Sequence, residues 1–305
     1  MELIQLINLQ IRMFLLMLLG FGLKRGGVIT ESGKRCLTDL VLYVFLPCNI
    51  VKSFMVTIDL DVVKNFMMVF MISVAIQLGC MLLSKVLFTK EDKTKGKVLQ
   101  YATNVSNAGF LGNPVAQEVF GDIGLTYASI YLIPQRIMMW TVGISCFTES
   151  PNKKMLIRKI LIHPCIIAVE IGLVVLALQI SLPQSLQSTL TDLSNCNTAV
   201  SLIVIGSILA DFNRHEKMEK SVFIYTVWRL ILIPLGVYIC CRICRFEHFV
   251  TGVSVLLAAM PAASTTAILA SKYDGDAVYA SKLVIVSTTL SLISTPIWSM
   301  LLLCG

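Results

Sequence analysis

Roughly every thirty residues, this chain of 305 amino acids begins another stretch of about twenty apolar ones. A helix needs about 20 such residues to cross the hydrocarbon core of a bilayer. Ten stretches qualify: residues 3–23, 37–56, 66–86, 98–120, 126–147, 160–181, 195–211, 221–241, 247–271 and 280–304. Hydrophobic residues make up 56% of the chain and charged ones 14%, against about 25% charged in soluble domains. The chain therefore reads as one all-α integral membrane domain. Glu2 stands where a cleaved leader is positive, and Lys24 and Arg25 follow the first apolar run, so that run reads as a retained span.

The charges orient the spans. Eighteen of the 25 Lys and Arg residues fall in the loops after spans 1, 3, 5, 7 and 9, in clusters such as Lys90, Lys93, Lys95 and Lys97. Only Lys52, Lys64, Arg242 and Arg245 lie in the alternate loops, and Arg12, Arg136 and Arg229 lie within spans. Basic loops stay on the cytoplasmic side, which places a multi-pass protein in the cell membrane with both termini outside. The net charge of +7 belongs to these loops and implies no nucleic-acid partner. The ten cysteines are scattered, mostly within spans, and show neither a disulfide framework nor zinc spacing.

One span breaks its own pattern. Asn104-Val-Ser-Asn-Ala-Gly-Phe-Leu-Gly-Asn-Pro-Val-Ala-Gln-Glu118 puts three asparagines, two glycines and a proline where span 4 should be apolar. Such a segment must face protein or a water-filled cavity, and in transporters interrupted helices grip the substrate. Span 9 has a counterpart in Met260-Pro-Ala-Ala-Ser-Thr-Thr266. Five spans per half means that a second copy enters the membrane from the opposite side. Tyr127-Ala128-Ser129 and Tyr279-Ala280-Ser281 each follow an Asp/Gly turn downstream of these segments. The expected fold is ten transmembrane helices in two inverted five-helix repeats, about 1–150 and 151–305, with helices 4 and 9 broken. Pro47 in span 2 reads as a third break, matched in span 7 by Asn195-Cys-Asn-Thr198.

Asn107-Ala-Gly-Phe-Leu-Gly-Asn-Pro114, Leu46-Pro-Cys-Asn-Ile50 and Met260-Pro-Ala-Ala-Ser-Thr-Thr-Ala-Ile-Leu-Ala270 before Tyr273-Asp-Gly-Asp276 resemble segments of the auxin efflux carrier family. That family includes the plant PIN-FORMED carriers, and the resemblance runs the length of the chain. It implies crossed helices 4 and 9, a scaffold and a transport domain, and a homodimer. It also implies carriage of organic anions: auxin in plants, dicarboxylates such as malate or malonate in bacterial relatives. Only Thr148 to Lys159 fills the gap where long plant carriers hold a large hydrophilic loop, so the chain resembles the compact bacterial type. Ser106 stands where the plant motif has proline, which moves the expected crossing onto Gly109, Gly112 and Pro114.

A carboxylate in the membrane needs neutral donors: amides, hydroxyls, free backbone N–H groups and positive helix N-termini. Asn107 and Asn104 of span 4 and Ser264 and Thr265 of span 9 are the candidates, with Asn49 and Asn197 completing the pocket from spans 2 and 7. Pro114 and Pro261 shape the backbone, and Asn113 reads as a cap. Ionisable residues within spans are functional suspects. Arg136 and Arg229 would draw in substrate or pair with Glu118 or Glu170. The two broken segments hold amides and hydroxyls, with Glu118 the one carboxylate and at the far end of its segment, which favours an uncoupled anion carrier over a sodium- or proton-coupled symporter of similar fold. No HExxH, GxSxG or Walker loop occurs, and no cofactor or metal site is expected.

Overall fold

The computed structural model describes residues 3–55, 60–89, 91–140, 146, 162, 164–210, 219–263, 265–272 and 275–304. Hydrocarbon offers no partner to a backbone N–H or C=O, so a spanning chain closes its hydrogen bonds within helices. Eleven helices carry the description: α1 (Leu3–Arg25), α2 (Glu31–Ser53), α3 (Leu60–Leu87), α4 (Lys93–Asn104), α5 (Asn113–Trp140), α6 (Pro164–Leu178), α7 (Gln184–Leu209), α8 (Lys220–Ile243), α9 (His248–Ala258), α10 (Thr265–Lys272) and α11 (Ala277–Cys304). Among the described residues there is no strand, only one isolated bridge. Among the described residues, five runs are long and apolar enough to cross a membrane by themselves: α2, α3, α7, α8 and α11. α6 and α9 are shorter apolar helices. The interruptions are what divide α4 from α5 and α9 from α10.

Polar groups at the loops start the helices. Thr30 Oγ1 accepts from the Gly33 N–H at 3.1 Å ahead of α2, and Glu247 accepts from Val250 N–H at 3.1 Å ahead of α9. Asp92 caps α4 by accepting from the Thr94 hydroxyl and backbone N–H, which holds its carboxyl below the ordinary range. Inside the membrane the faces are apolar outward: α3 presents Met67, Met71, Leu78, Leu82 and Val86 to the exterior.

α1 and α7 pack backbone to backbone. A Cβ on Gly206 would fall 1.9 Å from the Met17 carbonyl oxygen, and one on Gly20 would fall 2.0 Å from that of Ile203. Small residues let membrane helices approach this closely. α5 turns sharply at Gly121 (φ 71, ψ −163), a conformation essentially confined to glycine, so the expected boundary between spans 4 and 5 falls where the Gly121-Asp122 turn placed it.

Two expected breaks take another form. Pro47 does not interrupt α2: a π turn over Val41–Phe45 precedes it and the helix runs on to Ser53. Asn195 to Thr198 lie inside the continuous helix α7. The four interruptions expected in two symmetric pairs reduce to one pair, in spans 4 and 9. Side-chain amides need not open a helix backbone: Asn197 is buried and Asn195 exposed on one unbroken helix.

Candidate functional site

α4 closes at Asn104, and the chain leaves it extended at Val105 (φ −123, ψ 104) before turning at Asn107 (φ −77, ψ 33). α9 closes at Ala258, and no helix resumes until Thr265. These two loose segments run past each other in opposite directions. Asn107 N–H donates to the Pro261 carbonyl at 2.8 Å and Ala263 N–H to that of Val105 at 3.3 Å, joining Ser106 to Ala262 in an antiparallel bridge. The crossing therefore rests on Val105–Asn107 and Pro261–Ala263. Gly109 and Pro114 belong to a π turn (Ala108–Gly112) and the first turn of α5, whereas Gly112 packs against the other half, where a Cβ would fall 2.6 Å from Leu257 Cδ2 and 3.1 Å from Met260 Cγ. An extended residue needs no proline or glycine to leave a helix, only partners for the groups it frees.

Neighbouring helices supply those partners. Gln135 Nε2 donates to the Ser106 carbonyl at 2.7 Å, and Ser106 Oγ donates back to Gln135 Oε1 at 3.2 Å. Across the crossing, Ala262 N–H donates to Ser287 Oγ at 3.2 Å. Tyr101 and Thr265 share a hydroxyl–hydroxyl bond at 3.0 Å, tying α4 to α10. Arg229, only 3% exposed, donates from Nε to the Met260 carbonyl at 2.9 Å and from Nη1 to that of Thr103 at 3.1 Å.

The asparagines divide into those that hold the fold and those left free. Asn104 is engaged, donating to the Gln100 carbonyl at 2.7 Å. Asn49, fully buried, donates to Gln117 Oε1 at 2.9 Å and accepts from the Ser194 hydroxyl at 2.5 Å, tying α2 to α5 and α7. Asn107 is 6% exposed, and its side-chain amide makes no hydrogen bond among the described residues. Asn113 and Asn197 are fully buried with both amide atoms unpaired, as are the hydroxyls of Ser201 and Thr266. Asn113 lies one turn from Gln117 on α5, and Asn197 and Ser201 one and two turns from Ser194 on α7. The stripes joined at Asn49 thus carry the unpaired amides one turn further along each helix. Buried polar groups without partners are rare and call for water, ion or ligand. Asn113 is therefore not the backbone cap expected of it. Ser264 lies outside the described residues.

The charges pair differently from expectation. Glu118 forms an ion pair with Arg12 of α1, not with Arg136 or Arg229. Glu170 is exposed on α6. Arg136 is buried, its Nη2 reaching within 3.4 Å of where a Cβ on Gly109 would lie. Arg229 meets backbone carbonyls in place of an acid. No group of three His, Cys, Asp or Glu able to hold a metal occurs among the described residues.

A profile described as membrane transport protein matches residues 6–299, nearly the whole chain. The chain belongs to this family, the auxin efflux carriers. It is 28% identical over 292 residues to an uncharacterized transporter of Methanothermobacter thermautotrophicus, covering 94% of this chain and 95% of that one. It is 24% identical over 303 residues to the uncharacterized transporter MJ1031 of Methanocaldococcus jannaschii, covering 95% and 96%. The uncharacterized transporter YfdV of Escherichia coli K12 is 24% identical over 300 residues, covering 93% of each. This auxin efflux carrier family member is thus a multi-pass membrane transporter. Its crossing uses two residues the sequence did not single out, Gln135 and Ser287. A lone amide inside apolar span 5 was the available signal for Gln135; a serine in a helix rich in serine and threonine gave none.

Proposed function

We propose that this carrier moves small organic anions across the cell membrane by alternating access, with the carboxylate bound at the crossing beside Asn107. The observation that carries this reading is the Ser106–Ala262 bridge between two broken helices, flanked by the unpartnered Asn107 amide and Thr266 hydroxyl. The helices that resume after the breaks begin at Ala108 and Thr265, so their free N–H groups add positive potential. Ser264, Thr265, Asn197 and Asn113 extend the donor set. These groups grip a carboxylate without selecting among monocarboxylates, malate and malonate.

The same reading includes a ten-span inverted repeat with both termini outside. Its support is a set of matched pairs. Ser106 and Ala262 are 156 positions apart (262 minus 106), as are Asn65 and Ser221 (221 minus 65), which bond the hydroxyls of Tyr127 and Tyr279. Those tyrosines are 152 apart, and so are Gln135 and Ser287, each of which holds the break of its own half. Antiparallel pairing of equivalent residues is what a two-fold axis in the membrane plane between them produces.

Neither Tyr101–Gln117 nor Met260–Lys272 contains a carboxylate, which supports transport uncoupled from sodium or protons. An inside-negative potential then drives anion efflux with about 2.3 kcal/mol per charge per 100 mV. Purified protein screened by thermal shift against mono- and dicarboxylates, followed by flux of the hits in proteoliposomes, tests this. Saturable, electrogenic flux with counterflow is expected. Ohmic current, or flux that requires sodium, refutes it.

A further inference from the structure

We propose that the Arg229 guanidinium is a built-in cation that occupies the place of a coupling ion at the crossing. Two half-helices end there: α4, whose last turn includes the Thr103 carbonyl, and α9, which ends at Ala258 and is followed two residues on by the Met260 carbonyl. A helix C-terminus carries roughly half a negative charge, so the two ends together present up to about −1 in a buried place. Arg229 supplies +1 between them, bonding both carbonyls at 2.9 and 3.1 Å. No carboxylate among the described residues pairs with it.

Two features set this arginine apart from a surface charge that happens to be buried. It stands within the π turn Trp228–Leu232 of α8, which rotates one residue more per turn than an α-helix and so sets the register of the side chain toward the crossing. The equivalent position in the first half is Ser73 (229 minus 156), whose hydroxyl donates to the Tyr131 carbonyl at 2.6 Å. One half alone therefore provides the charge, and one charge serves both half-helices. Arginine cannot be deprotonated in proteins, so this cation neither titrates nor dissociates. With the C-terminal poles neutralised, the positive N-terminal ends beside Asn107 are left to act on an anion. Sodium or a proton then has no pole to bind. The transport consequence rests on the crossing being the anion site, as proposed above, whereas the test below reads the cation alone.

The experiment compares thermal unfolding of the purified protein in sodium, potassium, guanidinium and N-methylglucamine chlorides at tens of millimolar, well below denaturing concentrations. Wild type is expected to be indifferent to the cation. Arg229→Ala is expected to lose roughly 10 °C in Tm in N-methylglucamine and to regain half or more of that in guanidinium or a small inorganic cation. Arg229→Lys, a point charge on a flexible stem, is expected to lose less and to need no added ion. Arg229→Gln, which keeps a donor but no charge, replaces Arg229→Ala if the alanine variant does not fold. Its recovery by added cation while Arg229→Lys stays indifferent carries the same meaning. Equal unfolding of the neutral variants in all four salts overturns the proposal and leaves Arg229 a mere brace. Saturable stabilisation of wild type by sodium overturns it too. Either result leaves the anion-carrier reading standing, which fails separately on non-saturable flux.

Discussion

Replacing Asn107 with alanine separates binding from folding. The backbone of Asn107 is committed: its N–H goes to the Pro261 carbonyl at 2.8 Å, and its carbonyl accepts from Leu111 and Gly112 at 3.0 and 3.1 Å. Alanine keeps all three bonds. The side-chain amide gives none to the protein, so its removal costs no hydrogen bond. Unfolding should therefore change by less than about 1 kcal/mol, a Tm shift of a few degrees at most. A carboxylate bound to the amide loses one charge-assisted bond, worth about 1.5–3 kcal/mol. At 1.4 kcal/mol per decade, its half-saturation should rise roughly 10- to 150-fold. The assay is counterflow in proteoliposomes with whichever anion the thermal screen identifies, alongside unfolding of the same preparation. Asn104→Ala is the control, because that amide donates to Gln100 and lies within bonding reach of Ser84. Its loss should destabilise the fold by about 0.6–1.7 kcal/mol on the membrane-protein scale. Wild-type half-saturation in Asn107→Ala removes the residue from the site. Destabilisation as large as that of Asn104→Ala shows that the amide serves the fold.

The Asn49 junction should behave oppositely: Asn49→Ala removes the partner of Gln117 Oε1 and of the Ser194 hydroxyl and should cost about 1–3 kcal/mol in unfolding. A double-mutant cycle with Ser194→Ala should show a coupling that an additive result would deny. Gly206→Val should destabilise by about 3 kcal/mol or more, because even its Cβ would sit 1.9 Å from the Met17 carbonyl; an unchanged melting temperature contradicts that α1–α7 approach. Arg12→Glu and Glu118→Arg should each lower stability, and together restore most of it, if the ion pair between α1 and α5 holds in lipid. Unfolding of the two singles and the double in nanodiscs decides the point.

The spans were legible because hydrocarbon imposes a length and a polarity that no tertiary contact overrides. The broken segments were legible for the same reason: three asparagines in span 4 and Pro261-Ala-Ala-Ser-Thr-Thr266 in span 9 contradict their surroundings. What each polar residue does was not legible. Asn49, Asn104 and Asn107 are chemically identical, yet Asn49 is consumed by Gln117 and Ser194 on other helices, Asn104 donates within its own helix and Asn107 is free, and only the packing decides which. The role of Arg229 was hidden likewise. A buried arginine suggests an acid partner, but helix ends carry charge that no letter in the sequence represents.

Prolines misled for a more specific reason. In each of three π turns, the residue just before a proline takes its hydrogen bond five residues back: Leu46 to Val41, Asn113 to Ala108, Ile233 to Trp228. A proline in an α-helix loses its own bond and collides with the carbonyl four residues earlier. One extra residue in the turn moves that carbonyl aside and keeps the rest of the ladder closed. Pro47, Pro114 and Pro234 are thus bends that leave little polar backbone free, and only Pro261 lies in a true interruption. The break in span 4 contains no proline and is held open by what receives its backbone: Pro261 opposite, Gln135 beside it and Arg229 beneath. Span 4 therefore carries both kinds of discontinuity within ten residues, a full break at Val105–Asn107 and a π turn at Ala108–Gly112. The first frees donors for a ligand. The second closes the ladder again before the helix reaches lipid, so the donors stay confined to the crossing.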